Sequence, residues 1–121
     1  MSSFEELQEK IADFVQERDW EQFHAPKNLS MAISVESSEL MEHFQWLDAE
    51  ASRSIEDEKK LEEIRQEIAD IMIFSLNFCN QMDIDPAQAI EEKLQINKEK
   101  YPVEDAKGKA EKYTELKDTD E

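Results

Sequence analysis

From Asn28 to Trp46 the chain reads NLSMAISVESSELMEHFQW, a helical period with acids set into its apolar side. At 100° per residue, Leu29, Ala32, Ile33, Leu40, Phe44 and Leu47 share one stripe. Glu36 falls in the middle of that stripe, Glu39 sits one turn on at its edge, and Glu42 is turned further out. A carboxylate on a face meant for the core is costly unless something pairs with it. A second stretch, EEIRQEIADIMIFSLNF, follows the same plan. Its Glu67 and Asp70 are three apart and flank a stripe of Ile64, Ile68, Ile71, Ser75 and Phe78. Two such helices packed face to face aim Glu36, Glu39, Glu67 and Asp70 at one spot, and that much acid calls for a cation.

The remaining chain argues for helices. One glycine and three prolines in 121 residues leave few breaks between long polar–apolar periods, so the expected class is all-α, one domain, a four-helix-type bundle. A first helix is expected over residues 3–17, with Ser3 and Glu6 at capping-box spacing. RDWEQFHAP, residues 18–26, reads as a connection packed on the bundle; its Trp20, Phe23 and His24 either line a pocket or close the end of the core. The organising helix follows from about Lys27 to Leu47, then a polar surface connection over 48–58, where Ser54 with Asp57 offers a cap for the next helix. That helix runs to about Met82, and its centre, IMIFSLNFC, is apolar nearly all round. A helix without a polar face is buried on several sides, so part of this surface is expected to be covered by another subunit. Asp85 and Pro86 open a fourth helix over 86–100, with Ile90, Leu94, Asn97 and Tyr101 on one stripe and Lys93, Lys98 and Lys100 giving it a basic character. The domain is expected to span 1–113 and the acidic tail 114–121 to be disordered.

Charge narrows the function. The formal net charge is −17, so a nucleic-acid polymer, whose binding rests on Lys and Arg neutralising phosphates, is not an expected partner. No apolar run of about 18 residues is present to span a membrane. The N-terminal MSSFEELQEK has no basic region followed by an apolar block, and a single cysteine makes no internal disulfide, which fits a reducing cytoplasm. Cys79, in its apolar helix, reads as a plain buried residue. Acid pairs three apart are cheap among 31 Asp and Glu residues. Pairs such as Glu6–Glu9 read as solvated faces; Glu36 and Glu67 stand out because they lie on or beside apolar stripes. Glu42 and Glu63 lie near the same faces as outer candidates, and His43 reads as structural or as a neighbour of the ligands. Carboxylates without a clear histidine suit hard cations, Mg²⁺ first and Mn²⁺ next. A di-iron site would want Glu-x-x-His on two helices, and zinc would want Cys or His.

At RDWEQFH, NLSMAISVESSELMEHFQW, EEIRQEIADIMIF and NKEKYPVEDAKGKAEKY the chain resembles the MazG-like all-α nucleoside triphosphate pyrophosphohydrolases, and among them the dCTP pyrophosphatase branch. The resemblance runs from about Phe14 to Leu116. It implies Mg²⁺ on Glu36, Glu39, Glu67 and Asp70, and hydrolysis of a nucleoside triphosphate to the monophosphate and pyrophosphate. It implies a nucleoside pocket shaped by Trp20, Phe23, His24 and Trp46. It also implies a phosphate-facing segment with Lys93, Asn97, Lys98, Lys100 and Tyr101, and assembly into a dimer or a tetramer of two dimers. Two positions depart from the branch: Ile11 stands where a histidine is frequent and Phe74 where a tyrosine is. Lost polar contacts at both predict only a partial preference for dCTP or related deoxynucleotides. Read as one continuous helix, the chain puts Trp46 on the acids' side, seven residues and about 10 Å beyond Glu39, with Trp20 and Phe23 as the opposite wall. The alternative from another class is a non-catalytic acidic helical interaction protein.

Overall fold

The computed structural model describes residues 2–108. Among them are six α-helices and one 3₁₀ turn, with no strand: α1 Phe4–Glu17, the 3₁₀ turn Glu21–Phe23, α2 Pro26–Glu42, α3 Ala49–Ser52, α4 Glu58–Met82, α5 Pro86–Lys100 and α6 Val103–Ala106. The expected all-α class is what is found. The expected end of the domain at 113 and the tail 114–121 lie outside the described residues.

Helix starts follow the local chemistry. The Glu6 N–H donates to Ser3 Oγ at 3.1 Å and opens α1. Asp85 accepts from the Gln88 N–H at 3.2 Å, with Pro86 in the first turn, and opens α5. At α4 the cap is Asp57, which accepts from the Lys59 N–H at 3.0 Å. Ser54 instead turns its hydroxyl back onto the Glu50 carbonyl. The connection before it holds a single extra turn, α3, capped by Asp48 through the Ala51 N–H at 2.7 Å. The organising helix is shorter than its period suggests. It stops at Glu42, and residues 43–46 form turns in which the Phe44 and Gln45 N–H groups both reach the Met41 carbonyl.

The chain divides into two compact units, Met1–Ile84 and Asp85–Glu121. In the first, α2 packs along α4 and α1 packs on α4. The α2–α4 pair is antiparallel: His24, just before α2, meets Asn77 late in α4, whereas Glu36, late in α2, meets Glu67 early in α4. Gln8 and Asn80 tie α1 to α4 by two bonds: Gln8 Nε2 donates to Asn80 Oδ1 at 3.0 Å, and Asn80 Nδ2 to the Gln8 carbonyl at 3.1 Å. The fully covered apolar side chains of this unit are few, Val15 and Leu29. Met31, Val35, Met72 and Ile73, on the two helices that should supply the core, are each about half exposed or more. In the second unit, α5 keeps its expected bounds, with Asn97 half-buried and Ile90 and Leu94 exposed.

Candidate functional site

The antiparallel pairing of α2 and α4 produces the convergence that their stripes call for. Carboxylate oxygens of Glu36, Glu67 and Asp70 lie within 4.8 Å of one another. Glu39 stands one turn beyond Glu36, close enough to raise that neighbour's proton affinity. Glu36 and Glu67 are partly covered and Asp70 is exposed, so the cluster opens from the helix interface to solvent. Beside it lies a cleft of about 460 Å³ lined by Glu39, Glu42, His43, Glu63 and Glu67. Glu42 and Glu63 thus stand where the sequence placed them, around the edge. His43 lines the cleft without joining the three converging ligands.

Among the described residues no ion pair neutralises this acid. The ion pairs among those residues are Arg18–Glu17, Arg53–Glu50 and Arg65–Glu62, none of which uses Glu36, Glu39, Glu67 or Asp70. Glu36 Oε2 and Glu67 Oε2 are buried with no donor. Ionised carboxylates are acceptors only, so two of them satisfy each other only by sharing a proton. Accordingly the Glu36 carboxyl is pushed up from 4.5 to about 7, chiefly by burial and then by Glu67 and Glu39 beside it. Orphaned buried oxygens from two helices, all hard donors, fit a divalent cation of the Mg²⁺ kind.

The aromatic residues divide between the two ends of the pair. Trp20 and His24 lie before α2: Trp20 meets Phe14 edge-on with ring centres 5.6 Å apart and His24 at 6.1 Å, and His24 Nδ1 lies 2.9 Å from Asn77 Nδ2. Phe23 is exposed beside them. Trp46 lies beyond the other end of α2, in the turn, and is 89% exposed. Two consequences correct the sequence reading. Trp46 is not on the helix whose wheel was used to aim it, and it belongs to no core of a single chain. Trp20 and Trp46 are separated by the 17 residues of α2, about 25 Å of helix, so within one chain they do not form opposite walls of one pocket. Phe74, half-buried, follows Asp70 by one turn on α4 and precedes Asn77 by another; the three share a face that runs from the acids towards His24. Lys93, Asn97, Lys98, Lys100 and Tyr101 all belong to α5 and its C-cap in the second unit, where Lys98 and Lys100 occupy the last helical turn. Asn77 itself was passed over in the sequence. Its signal was there, one amide in an otherwise apolar run.

These features define an all-α protein with an acid-only, cation-seeking centre between two antiparallel helices. A family model, that of the MazG-like family, matches residues 31–116, and the chain belongs to that family. Over 115 residues it is 36% identical to dCTP pyrophosphatase 1 of Rattus norvegicus and 35% identical to that of Homo sapiens, covering 94% of this chain and 68% of each relative. Among solved structures it is similar to a pyrophosphatase of Archaeoglobus fulgidus, with a TM-score of 0.72 and 36% identity over 84% of this chain and 94% of that one.

Proposed function

We propose that this protein is a Mg²⁺-dependent nucleoside triphosphate pyrophosphohydrolase that cleaves between the α- and β-phosphates, releasing a nucleoside monophosphate and pyrophosphate. It takes dCTP or related deoxynucleotides with partial preference and serves to clear unwanted nucleotides from the cytoplasmic pool. The observation that carries this reading is the pair of buried, donorless oxygens on Glu36 and Glu67, with Glu67 also on the wall of an open cleft. The relatives named as pyrophosphatases supply the reaction. They also weigh against the non-catalytic alternative.

In this reading Glu36, Glu67 and Asp70, with Glu39, hold the cation. When bound, Mg²⁺, or Mn²⁺ in its place, offsets triphosphate charge and makes water a better nucleophile. Glu39 lines the cleft and takes the proton of the attacking water as general base. The nucleotide lies along the face of α4 from Asp70 past Phe74 to the Trp20–His24 turn, a span of about 10 Å over seven residues, which suits the distance from α-phosphate to base. Trp20 and Phe23 stack on the base, and His24 offers it a hydrogen bond. The family resemblance assigns phosphate contacts to Lys93, Asn97, Lys98, Lys100 and Tyr101, which all belong to α5 and its C-cap. Trp46 is a further base-stacking residue. Since it stands a full helix away from Trp20, both touch one nucleotide only where two chains meet, in a dimer or a tetramer.

The test is pyrophosphate release from a panel of nucleoside triphosphates, with Mg²⁺ and with chelator. Release is expected only with the cation, and Glu67→Gln is expected to abolish it while the helical circular dichroism stays unchanged. Equal turnover in Glu67→Gln would remove the site assignment.

A further inference from the structure

Asn77 is the buried polar side chain among the described residues, 3% exposed, in a stretch of α4 whose neighbours are almost all apolar. An amide in that position is desolvated and is tolerated only when its hydrogen bonds are made. One of them goes to His24: Asn77 Nδ2 lies 2.9 Å from Nδ1 of the ring. An amide nitrogen donates and does not accept, so the ring nitrogen facing it is the one without a proton. Neutral His24 then carries its hydrogen on Nε2.

We propose that Asn77 is a positioning residue for the base end of the nucleotide site. It fixes His24 as the Nε2–H tautomer and pins the Trp20–His24 turn to α4. The other bonds of this turn are local: Trp20 N–H to the Val15 carbonyl, His24 N–H to the Glu21 carbonyl, Asn28 Nδ2 to the Phe23 carbonyl. The His24–Asn77 bond spans 53 residues and ties the turn to the helix that bears Glu67 and Asp70. Because the Trp20 ring meets the His24 ring edge-on, a tilt of the imidazole also moves the stacking surface. A fixed Nε2–H is a donor with one direction. It suits a pyrimidine edge that presents acceptors, as O2 and N3 of cytosine do, and the bare nitrogen of the other tautomer would oppose the same edge. Specificity of this kind needs no polar group at Ile11 or Phe74.

The proposal rests on the reading that Trp20 and His24 face the base, and the test separates the two. Ring-nitrogen NMR of the ¹⁵N-labelled protein reports the tautomer directly, with His24 assigned by its loss in His24→Phe. Wild type is expected to show protonation at Nε2, and Asn77→Asp, which presents only acceptors, is expected to move it to Nδ1. With dCTP and Mg²⁺, Asn77→Asp and His24→Phe are each expected to raise KM roughly ten-fold with kcat within about two-fold, the size of one lost hydrogen bond. The double variant is expected to be no worse than either single one. Asn77→Leu, which keeps the packing and loses the bond, is expected to match Asn77→Asp in KM. A wild-type Nδ1–H ring would overturn the proposal. So would an unchanged KM in a variant whose tautomer has moved, or a fall in kcat at constant KM. If wild type neither binds nor cleaves any nucleoside triphosphate, the nucleotide reading fails and the proposal fails with it. If wild type is active and the His24 and Asn77 variants match it, only the positioning role fails.

Discussion

At the scale of single residues, Glu36 decides the behaviour of the cation-free protein. Its carboxyl ionises at about 7 in the fold against 4.5 for the free side chain, because burial and two acidic neighbours disfavour its charge. Between those pH values the folded state holds a proton that the unfolded state has released. The stability this provides is complete below pH 4.5 and is lost as pH rises through 7. A glutamine at the position resembles the protonated acid at every pH. Chelated wild type and Glu36→Gln are therefore expected to melt together near pH 5, and the variant is expected to melt higher by pH 8. Saturating Mg²⁺ should reverse that order above pH 7, since the wild type offers the cation one more carboxylate than the variant and gains more from it. Melting curves at three pH values, with and without Mg²⁺, check this; a difference that does not change with pH would show that Glu36 carries no such proton.

At the scale of elements, α4 ends badly. Asp83 sits in the left-handed region, φ 54°, and caps the helix through its N–H to the Cys79 carbonyl. An L-residue with a Cβ is disfavoured there, and its negative charge faces the negative end of the helix dipole. Asp83→Gly is expected to raise stability by about 1 kcal/mol and Asp83→Asn by a smaller part of it, read by urea denaturation with activity unchanged. The ends of helices also mark where the sequence was and was not legible. Ser3, Asp85 and Pro86 announce α1 and α5 because a short oxygen or a fixed φ has one local use, and the structure keeps both helices where they were expected. The acid cluster was legible for a different reason: a carboxylate inside an apolar stripe is an anomaly that only packing against another acid-bearing helix explains. The end of α2 was not legible. Neither glycine nor proline stands near Glu42, and the apolar period continues through Phe44 and Leu47 although the helix does not. Glu39 and Glu42 sit at the negative end of the dipole, where acids weaken the last turn, and a period count does not register that. The misplaced stop carried Trp46 with it, so the wheel that aimed this tryptophan at the acids described a helix that had already ended. Asn77 was missed because its partner is 53 residues away.

At the scale of the molecule, one chain has too little interior. Val15 and Leu29 are the covered apolar residues described in the first unit, whereas Met31, Val35, Met72 and Ile73 stand about half exposed or more on the two helices that carry the acids. Exposed apolar surface on this scale, on a chain with a charge of −17, is the kind that a second chain is expected to cover. Like charge opposes that association at low ionic strength, so salt should strengthen it. Sedimentation at micromolar concentration is expected to give a dimer or tetramer, more completely as salt is raised. The separation of Trp20 from Trp46 by the length of α2 sharpens this into a test of the site. Trp46→Ala is expected to raise KM about 5- to 100-fold, from the stacking range for one base with partial compensation, and Glu67→Gln to be inactive. If each nucleotide uses the acids of one chain and Trp46 of another, refolding the two variants together creates some sites with both intact. For a two-fold dimer mixed equally, about half the dimers are hybrids, each with one complete site, so about a quarter of all sites recover. At dCTP well below KM, the mixture should therefore exceed the mean of its two components by several-fold. Activity no higher than that mean would place Trp46 in the service of its own chain or outside the site altogether.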